Sequence, residues 1–233
     1  MLSLNEEAID SAIGEILSSF NKDDNIHNTI SPIHPQLNFY YNSFNVCVGK
    51  QGVGKTTFLM KELIKLSQIP DTQYNQIIYI TAGGGEDQTF EKLKRMIKIP
   101  IYGLSFENSV KELSQFFSTR KDTTHPTFLI IEDAGFLLFK DSPIWTEWIC
   151  KLRHLRLTIW VNLHVWRSIS TMLKTQISSV FVFKGFSKEQ LQQISRQSAA
   201  AADFKVIYYL YIQMGEKQIL NINNINSKVE LLN

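Results

Sequence analysis

An α/β fold is predicted for this chain, and two features of the sequence support the prediction. From about residue 39 onward, short apolar runs typical of buried strands alternate with segments whose apolar residues have helical spacing. The chain has 233 residues, of which 44% are hydrophobic and 20% charged, which is enough for one such domain with a sizeable core. The alternation predicts a parallel sheet flanked by helices on both faces.

The N-terminal part of the chain is predicted to be a helical extension, so that residues 1–38 precede a domain at residues 39–233. Residues 3–20 carry apolar side chains on one helical face, and Ser3 with Glu6 fits a capping box. The polar, proline-containing stretch that follows is typical of a linker. The helix either packs on its own domain or docks onto a neighbouring subunit or partner.

Each element of the domain has a local signal. The first strand is a short apolar run that leads into a glycine-rich loop, and the helix after that loop is stopped near Pro70. The strand at 127–131 is apolar throughout, which is typical of burial on both faces. Ser142 followed by Pro143 is a suitable helix start. Strands are expected at 44–48, 76–81, 101–104, 127–131, 157–163 and 179–183, and helices at 56–66, 86–97, 107–117, 143–154 and from Ser187 onward.

The C-terminal region is predicted to end in a β-hairpin. Residues 206–213 and 218–222 are rich in β-branched, aromatic and other apolar side chains and are separated by Gly215. A hairpin at this place would add antiparallel strands to the parallel sheet.

Residues Gly49 to Thr56, GKQGVGKT, match the consensus G-x-x-x-x-G-K-[ST] of the phosphate-binding P-loop. A predicted strand precedes them and a predicted helix follows. The glycines allow backbone N–H groups to turn toward phosphate oxygens, and the helix N-terminus adds positive partial charge. We expect ATP and Mg²⁺ as cofactors, with Lys55 on the β- and γ-phosphates and the Thr56 hydroxyl on Mg²⁺. The expected nucleotide-binding residues are Gly49, Lys50, Gln51, Gly52, Val53, Gly54, Lys55, Thr56 and Thr57.

Two adjacent acids end the buried strand at 127–131. Glu132 is expected to hold Mg²⁺ together with Thr56, and Asp133 is expected to orient or deprotonate the attacking water. The order Glu-Asp leaves the division of these roles open, and a solvated turn after the strand is the structural alternative.

A polar residue at the tip of the 157–163 strand is a candidate sensor of the γ-phosphate. In triphosphatases with an acid directly after the metal carboxylate, such a strand lies between the P-loop strand and the strand that carries the acids. We expect the same order here. His164 or Asn162 can then face the phosphate, although a histidine at a strand end can equally be structural.

The ordered set GKQGVGKT, LIIED, RHLRLTIWVNLH and SVFVFK resembles the FtsK–HerA superfamily, in particular the poxvirus-type genome-packaging ATPases of large DNA viruses and virophages. The similarity covers residues 40–225. It implies the RecA-like fold of the ASCE branch of P-loop NTPases and a homo-oligomeric ring, a pentamer or hexamer, that drives double-stranded DNA into a preformed capsid. The implied partners are double-stranded DNA and a capsid portal or vertex protein. The implied location is intracellular, in the virus factory of the host cytoplasm, and in the virion.

The resemblance also implies an arginine supplied by the neighbouring subunit. Arg153 matches the Arg-His pair of the family and is the favoured candidate, with Arg156, Arg167 and Arg196 as others. The chain departs from the family pattern at three places. His164 replaces a glutamine, Lys174 begins the triplet that replaces Arg-x-Asn, and Glu132 replaces the first of two aspartates.

The bulk properties of the chain limit the function classes. A net charge of +2 gives no whole-chain signal for nucleic acid, and two cysteines are not a disulfide framework, which favours a reducing compartment. No apolar run is long enough for a transmembrane segment. Two rival functions stay open: a DNA translocase or helicase for segregation or conjugation, and a slow P-loop ATPase switch that acts through a protein partner.

Overall fold

The structure, a computed structural model, describes residues 36–70, 74–81, 88–119, 126–133, 143–198, 200 and 202–233. The predicted N-terminal helix and the three glycines at 83–85 lie outside these ranges. The boundary at residue 38 therefore stays a prediction.

Eight strands of the described ranges form a single sheet. They are β1 (Phe44–Val48), β2 (Gln76–Thr81), β3 (Ile101–Ser105), β4 (Thr127–Glu132), β5 (Leu157–Leu163), β6 (Ser179–Val182), β7 (Ile219–Asn223) and β8 (Lys228–Leu232). Their order across the sheet is β3-β2-β4-β5-β1-β6-β7-β8. The first six strands pair in parallel and the last two join antiparallel, which confirms the predicted α/β class with its C-terminal hairpin.

Helices cover both faces of the sheet. In order along the described chain they are α1 (Lys55–Gln68), α2 (Gln88–Met96), α3 (Phe106–Thr119), α4 (Pro143–Cys150), α5 (Thr171–Lys174), α6 (Lys188–Gln197) and α7 (Phe204–Gln213). A short 3-10 helix, Trp166–Ser168, follows β5. Helices α1 and α2 contribute to one buried apolar cluster, and α3 to α7 contribute to the other. Successive β5 residues, Trp160 and Val161, belong to different clusters, as the two-residue period of a strand requires.

The predicted first strand of the C-terminal hairpin is wrong, since residues 206–213 lie in the helix α7. The hairpin consists instead of β7 and β8. Ile207, Tyr211 and Met214 are buried at helical spacing, and the Asp203 side chain accepts a hydrogen bond from Lys205 N at the helix start. Packing of this apolar face on the sheet overrides the strand preference of its β-branched and aromatic residues.

The predicted helix at 143–154 is shorter than expected, because α4 ends at Cys150. Leu157 N donates to Leu152 O at 2.9 Å, and Arg156 adopts a φ of 46°. This reversal returns the chain into β5. The tryptophans of α4, Trp145 and Trp148, lie in the core with their rings 5.0 Å apart, edge to face.

A buried carboxylate on α1 anchors the segment that precedes β1. Glu62 accepts hydrogen bonds of 3.0 Å from both the backbone N–H and the side-chain amide of Asn38, and 2.7 Å from Lys65. Its side chain is 1% exposed, whereas that of Lys65 is 42% exposed. Glu62 therefore holds the chain at Asn38 against the helix that follows the glycine-rich loop.

Replacing Glu62 by alanine is expected to lower the free energy of unfolding by about 1–3 kcal/mol, since two half-buried donors of Asn38 lose their acceptor. Urea unfolding with an unchanged slope measures this loss. Glu147→Ala is the matched control, because Glu147 pairs with Lys151 at the exposed end of α4, and its cost is expected to stay below about 0.5 kcal/mol. Equal losses in both variants would contradict the anchoring role.

None of the helices in the described ranges has the length and hydropathy that crossing a membrane requires.

Candidate active site

The loop between β1 and α1 closes tightly against the ends of two neighbouring strands. Gly49 N donates to Leu163 O at 3.1 Å, and Phe183 N donates to Val48 O at 3.0 Å. A Cβ at Gly49 would lie 2.7 Å from the Cβ of Phe183, so a larger residue does not fit there. Gly54 has a φ of 101°, in the left-handed region that favours glycine. The motif thus needs one glycine for space and another for backbone conformation.

Lys55 turns its ammonium into this loop. The Nζ donates to Gly49 O and Lys50 O at 3.0 Å each, and it lies 3.0 Å from Nδ1 of His164. Only 5% of the residue is exposed. Burial lowers the pKa of Lys55, and the carboxylate of Asp133 opposes that shift. The positive charge therefore lies at the centre of the loop, where nucleotide phosphates are expected.

Thr56, the first-turn neighbour of Lys55, contacts the acid at the end of β4. Its hydroxyl donates to Oε1 of Glu132, and the Asn162 amide donates to Oε2 at 2.6 Å. Burial raises the pKa of Glu132 to about 7, with the hydrogen bond from Thr56 opposing and the charge of Asp133 adding to the rise. The predicted metal ligands Thr56 and Glu132 are thus brought into direct contact.

This pair fits a magnesium ion that is shared with a bound nucleotide. Mg²⁺ prefers oxygen ligands, keeps several waters and takes further ligands from phosphate, so one hydroxyl and one carboxylate suffice from the protein. In the described ranges, no three His, Cys, Asp or Glu side chains are grouped as a closed metal cage. A cation at this place would favour the ionised form of Glu132.

Asp133 and His164 form a second pair at the same edge of the sheet. The His164 Nε2 lies 2.8 Å from Oδ1 of Asp133, and both side chains are accessible, at 38% and 55% exposure respectively. An ammonium can only donate, so Nδ1 of His164 accepts from Lys55 and Nε2 carries the proton that Asp133 accepts. Asp133 has a φ of 55°, a conformation that aspartate and asparagine tolerate better than most residues.

These groups line one open, polar cleft of about 280 Å³. Its walls are formed by Gln51, Gly52, Gly54, Lys55, Thr56, Thr57, Asp133 and His164. Of the other predicted nucleotide-binding residues, Gly49 is buried, Lys50 contributes its carbonyl to Lys55, and Val53 packs on the apolar cluster of the α1 face. Asn162 is fully buried, so His164 is the candidate sensor that faces the cleft.

The cleft exists because β5 lies between β1 and β4, as predicted for its branch of P-loop folds. The register pairs Val48 with Leu163 and Glu132 with Asn162. Parallel strands bring their carboxyl ends to the same edge of a sheet, and ligand sites form there. The P-loop, the acids and the β5 tip therefore meet at one place.

Arg153 lies away from this cleft. It is exposed in the turns before β5, whereas His164 follows the opposite end of that strand, roughly 20 Å farther along at the usual rise of a strand. Within one chain Arg153 therefore does not reach the site. Arg167, in the 3-10 helix after His164, is exposed.

The contacts that two residues make at the site were not predicted from the sequence. Phe183 packs against Gly49, and Asn162 binds Glu132 rather than facing the cleft. The only sequence signal for Asn162 is its spacing of two from Trp160, which places both side chains on one face of β5. Nothing local marks Phe183, since its contact depends on how β6 lies beside β1.

Comparison with known proteins gives matches among solved structures, although no protein-family model and no curated protein matches the chain. The genome packaging NTPase B204 from Sulfolobus turreted icosahedral virus 2, in complex with AMP, superposes with a TM-score of 0.62 at 17% identity, over 82% of this chain and 96% of that one. Its complex with ATP-gammaS gives a TM-score of 0.63 at 15% identity, over 82% and 97%.

The cytoplasmic domain of the type VII secretion ATPase EccC from Thermomonospora curvata is a more distant match. Its TM-score is 0.50 at 13% identity, and the match covers 78% of this chain but 24% of that one. At these identities the likeness concerns the fold. It confirms the predicted fold, which the chain shares with the viral genome-packaging NTPase B204.

Proposed function

We propose that this chain is a Mg²⁺-dependent ATPase. The observation that carries the proposal is the position of β5, which brings the P-loop, the Glu132 carboxylate and the Asp133–His164 pair to one edge of the sheet. A phosphate-binding loop alone would support only nucleotide binding. The acids beside it supply what hydrolysis needs in addition.

Each side chain has a role that follows from its surroundings. Lys55 and the loop N–H groups bind the β- and γ-phosphates. Glu132 is buried with both oxygens held, which suits a metal ligand, whereas Asp133 is accessible and suits orienting and deprotonating a water. His164 can exchange the hydrogen bond that its Nε2–H donates to Asp133 for one to the γ-phosphate. Bound Mg²⁺ would neutralise charge on the phosphoryl oxygens.

We propose further that ATP hydrolysis drives double-stranded DNA into a capsid, through a homo-oligomeric ring of five or six copies that meets a portal or vertex protein. The support is the fold shared with B204, which is described as the DNA-packaging ATPase of Sulfolobus turreted icosahedral virus and matches over 82% of this chain. In such a ring, Arg153 would act in the site of a neighbour, since it lies far from its own. The virus factory of the host cytoplasm and the virion are the locations that this role implies.

Steady-state ATPase assays with and without double-stranded DNA, coupled to sizing with and without ATP, test the proposal. We expect hydrolysis that requires Mg²⁺, stimulation by double-stranded DNA and assembly beyond a monomer. Hydrolysis without DNA stimulation by a stable monomer would favour the switch over the motor. If the chain shows no nucleotide binding and no hydrolysis at millimolar Mg²⁺, the ATPase proposal itself is overturned.

A further inference from the structure

A line of hydrogen bonds leads from the apolar core to the Glu132 carboxylate. The indole N–H of Trp160 donates to Oδ1 of Asn162 at 3.1 Å, and Nδ2 of Asn162 donates to Oε2 of Glu132 at 2.6 Å. Trp160 and Asn162 are both fully buried. The register of β4 and β5 places Glu132 directly opposite Asn162.

We propose that Asn162 is a positioning residue for Glu132 and that the Trp160 indole sets the direction of the Asn162 amide. The inference rests on the proposed function, because it gives Glu132 its role as a magnesium ligand. It assigns to Asn162 a task other than sensing phosphate.

The indole matters because an asparagine side chain can rotate by half a turn and exchange its donor and acceptor ends. An indole N–H only donates, so Oδ1 must face Trp160, and the NH₂ group must then face Glu132. In the reversed orientation, Oδ1 would meet the carboxylate and NH₂ would meet the N–H. Both contacts would be repulsive in a buried place, where unpaired polar groups are costly.

The indole itself is held rigidly by aromatic neighbours. It stacks on Phe181 with ring centroids 5.0 Å apart and 15° between the planes, and it meets Phe39 edge to face at 5.8 Å. The core therefore fixes the indole, the indole fixes the amide, and the amide fixes one oxygen of Glu132.

The consequence for Glu132 is a defined carboxylate plane. With Oε2 bound to Asn162, Oε1 is the oxygen directed at Thr56, the other predicted magnesium ligand. Partners that orient a metal ligand typically change metal affinity about 10- to 100-fold when they are removed. Asn162 and Trp160 should therefore act on the magnesium dependence of nucleotide binding.

Trp160→Phe tests this inference, because it keeps an aromatic ring and removes the N–H. The readout is the Mg²⁺ concentration that half-saturates binding of a non-hydrolysable ATP analogue, measured by calorimetry on the full chain. We expect this midpoint to rise about tenfold in Trp160→Phe and in Asn162→Ala, with binding of the analogue in EDTA unchanged. In the double variant the two effects should not add, because both act through the same amide.

Trp166→Phe is the matched control. Trp166 is also buried, and its N–H donates to Gln197 at 2.8 Å, outside the bonds that reach Glu132. Its Mg²⁺ midpoint should equal that of the unaltered chain.

The outcomes separate this inference from the proposed function. If Trp160→Phe does not fold, Asn162→Ala alone carries the test. An unchanged Mg²⁺ midpoint in the folded Asn162→Ala variant would reduce Asn162 to a partner for a buried indole and overturn the inference, while the ATPase proposal would stand. An unaltered chain that binds no Mg²⁺-nucleotide would overturn both.

Discussion

Alanine in place of Lys55 is expected to lower kcat/KM for ATP hydrolysis about 100- to 1,000-fold. The Nζ is buried and bound to two loop carbonyls, so its charge acts at short range and is poorly screened by water. Alanine offers no donor to the phosphates. Steady-state ATPase rates and the dissociation constant of an ATP analogue, measured together, give the size of the loss.

Lys61→Ala is the control for this prediction, because Lys61 is exposed on the same helix, α1. It should leave both rate and affinity unchanged. Far-UV circular dichroism establishes that both variants fold. A folded Lys55→Ala variant that turns over ATP at the rate of the Lys61→Ala variant would remove the loop from the reaction.

The parts of this site that local sequence determines were predictable. The strand, the loop and the start of α1 are contiguous, and the glycine positions follow from the turn that the backbone must make. Glu132 was also predictable, since the carboxyl ends of parallel strands meet at one edge of the sheet. Its contact with Thr56 requires only that β5 lie between β1 and β4.

The parts that depend on tertiary packing were not predictable in the same way. Residues 206–213 have the composition of a strand, and only the burial of Ile207 and Tyr211 on the sheet selects the helix. Asn162 could have faced the cleft or the carboxylate, and the position of the Trp160 ring decides between them. In the proposed ring Arg153 would complete the site of a neighbour, and local sequence carries no signal for that arrangement.

The Asp133→Asn variant is expected to lower kcat about 1,000-fold, equivalent to about 4 kcal/mol of barrier, while binding of Mg²⁺-ATP changes little. An amide oxygen can still accept the His164 hydrogen bond, and asparagine tolerates the φ of 55° at this position. What the variant lacks is a carboxylate that can take a proton from water. Single-turnover hydrolysis and analogue binding separate the two effects.

Asp203→Asn is the control for that substitution, because Asp203 is exposed and caps α7, a role that asparagine fills equally well. It should leave the rate unchanged.

Comparison with Glu132→Gln then decides how the two acids divide their roles. Glu132→Gln is expected to slow hydrolysis and also to make nucleotide binding less dependent on Mg²⁺, since the Glu132 carboxylate contacts the Thr56 hydroxyl. If Glu132→Gln binds Mg²⁺-ATP normally without hydrolysing it, and Asp133→Asn loses the Mg²⁺ dependence, the roles are reversed and Glu132 acts on the water.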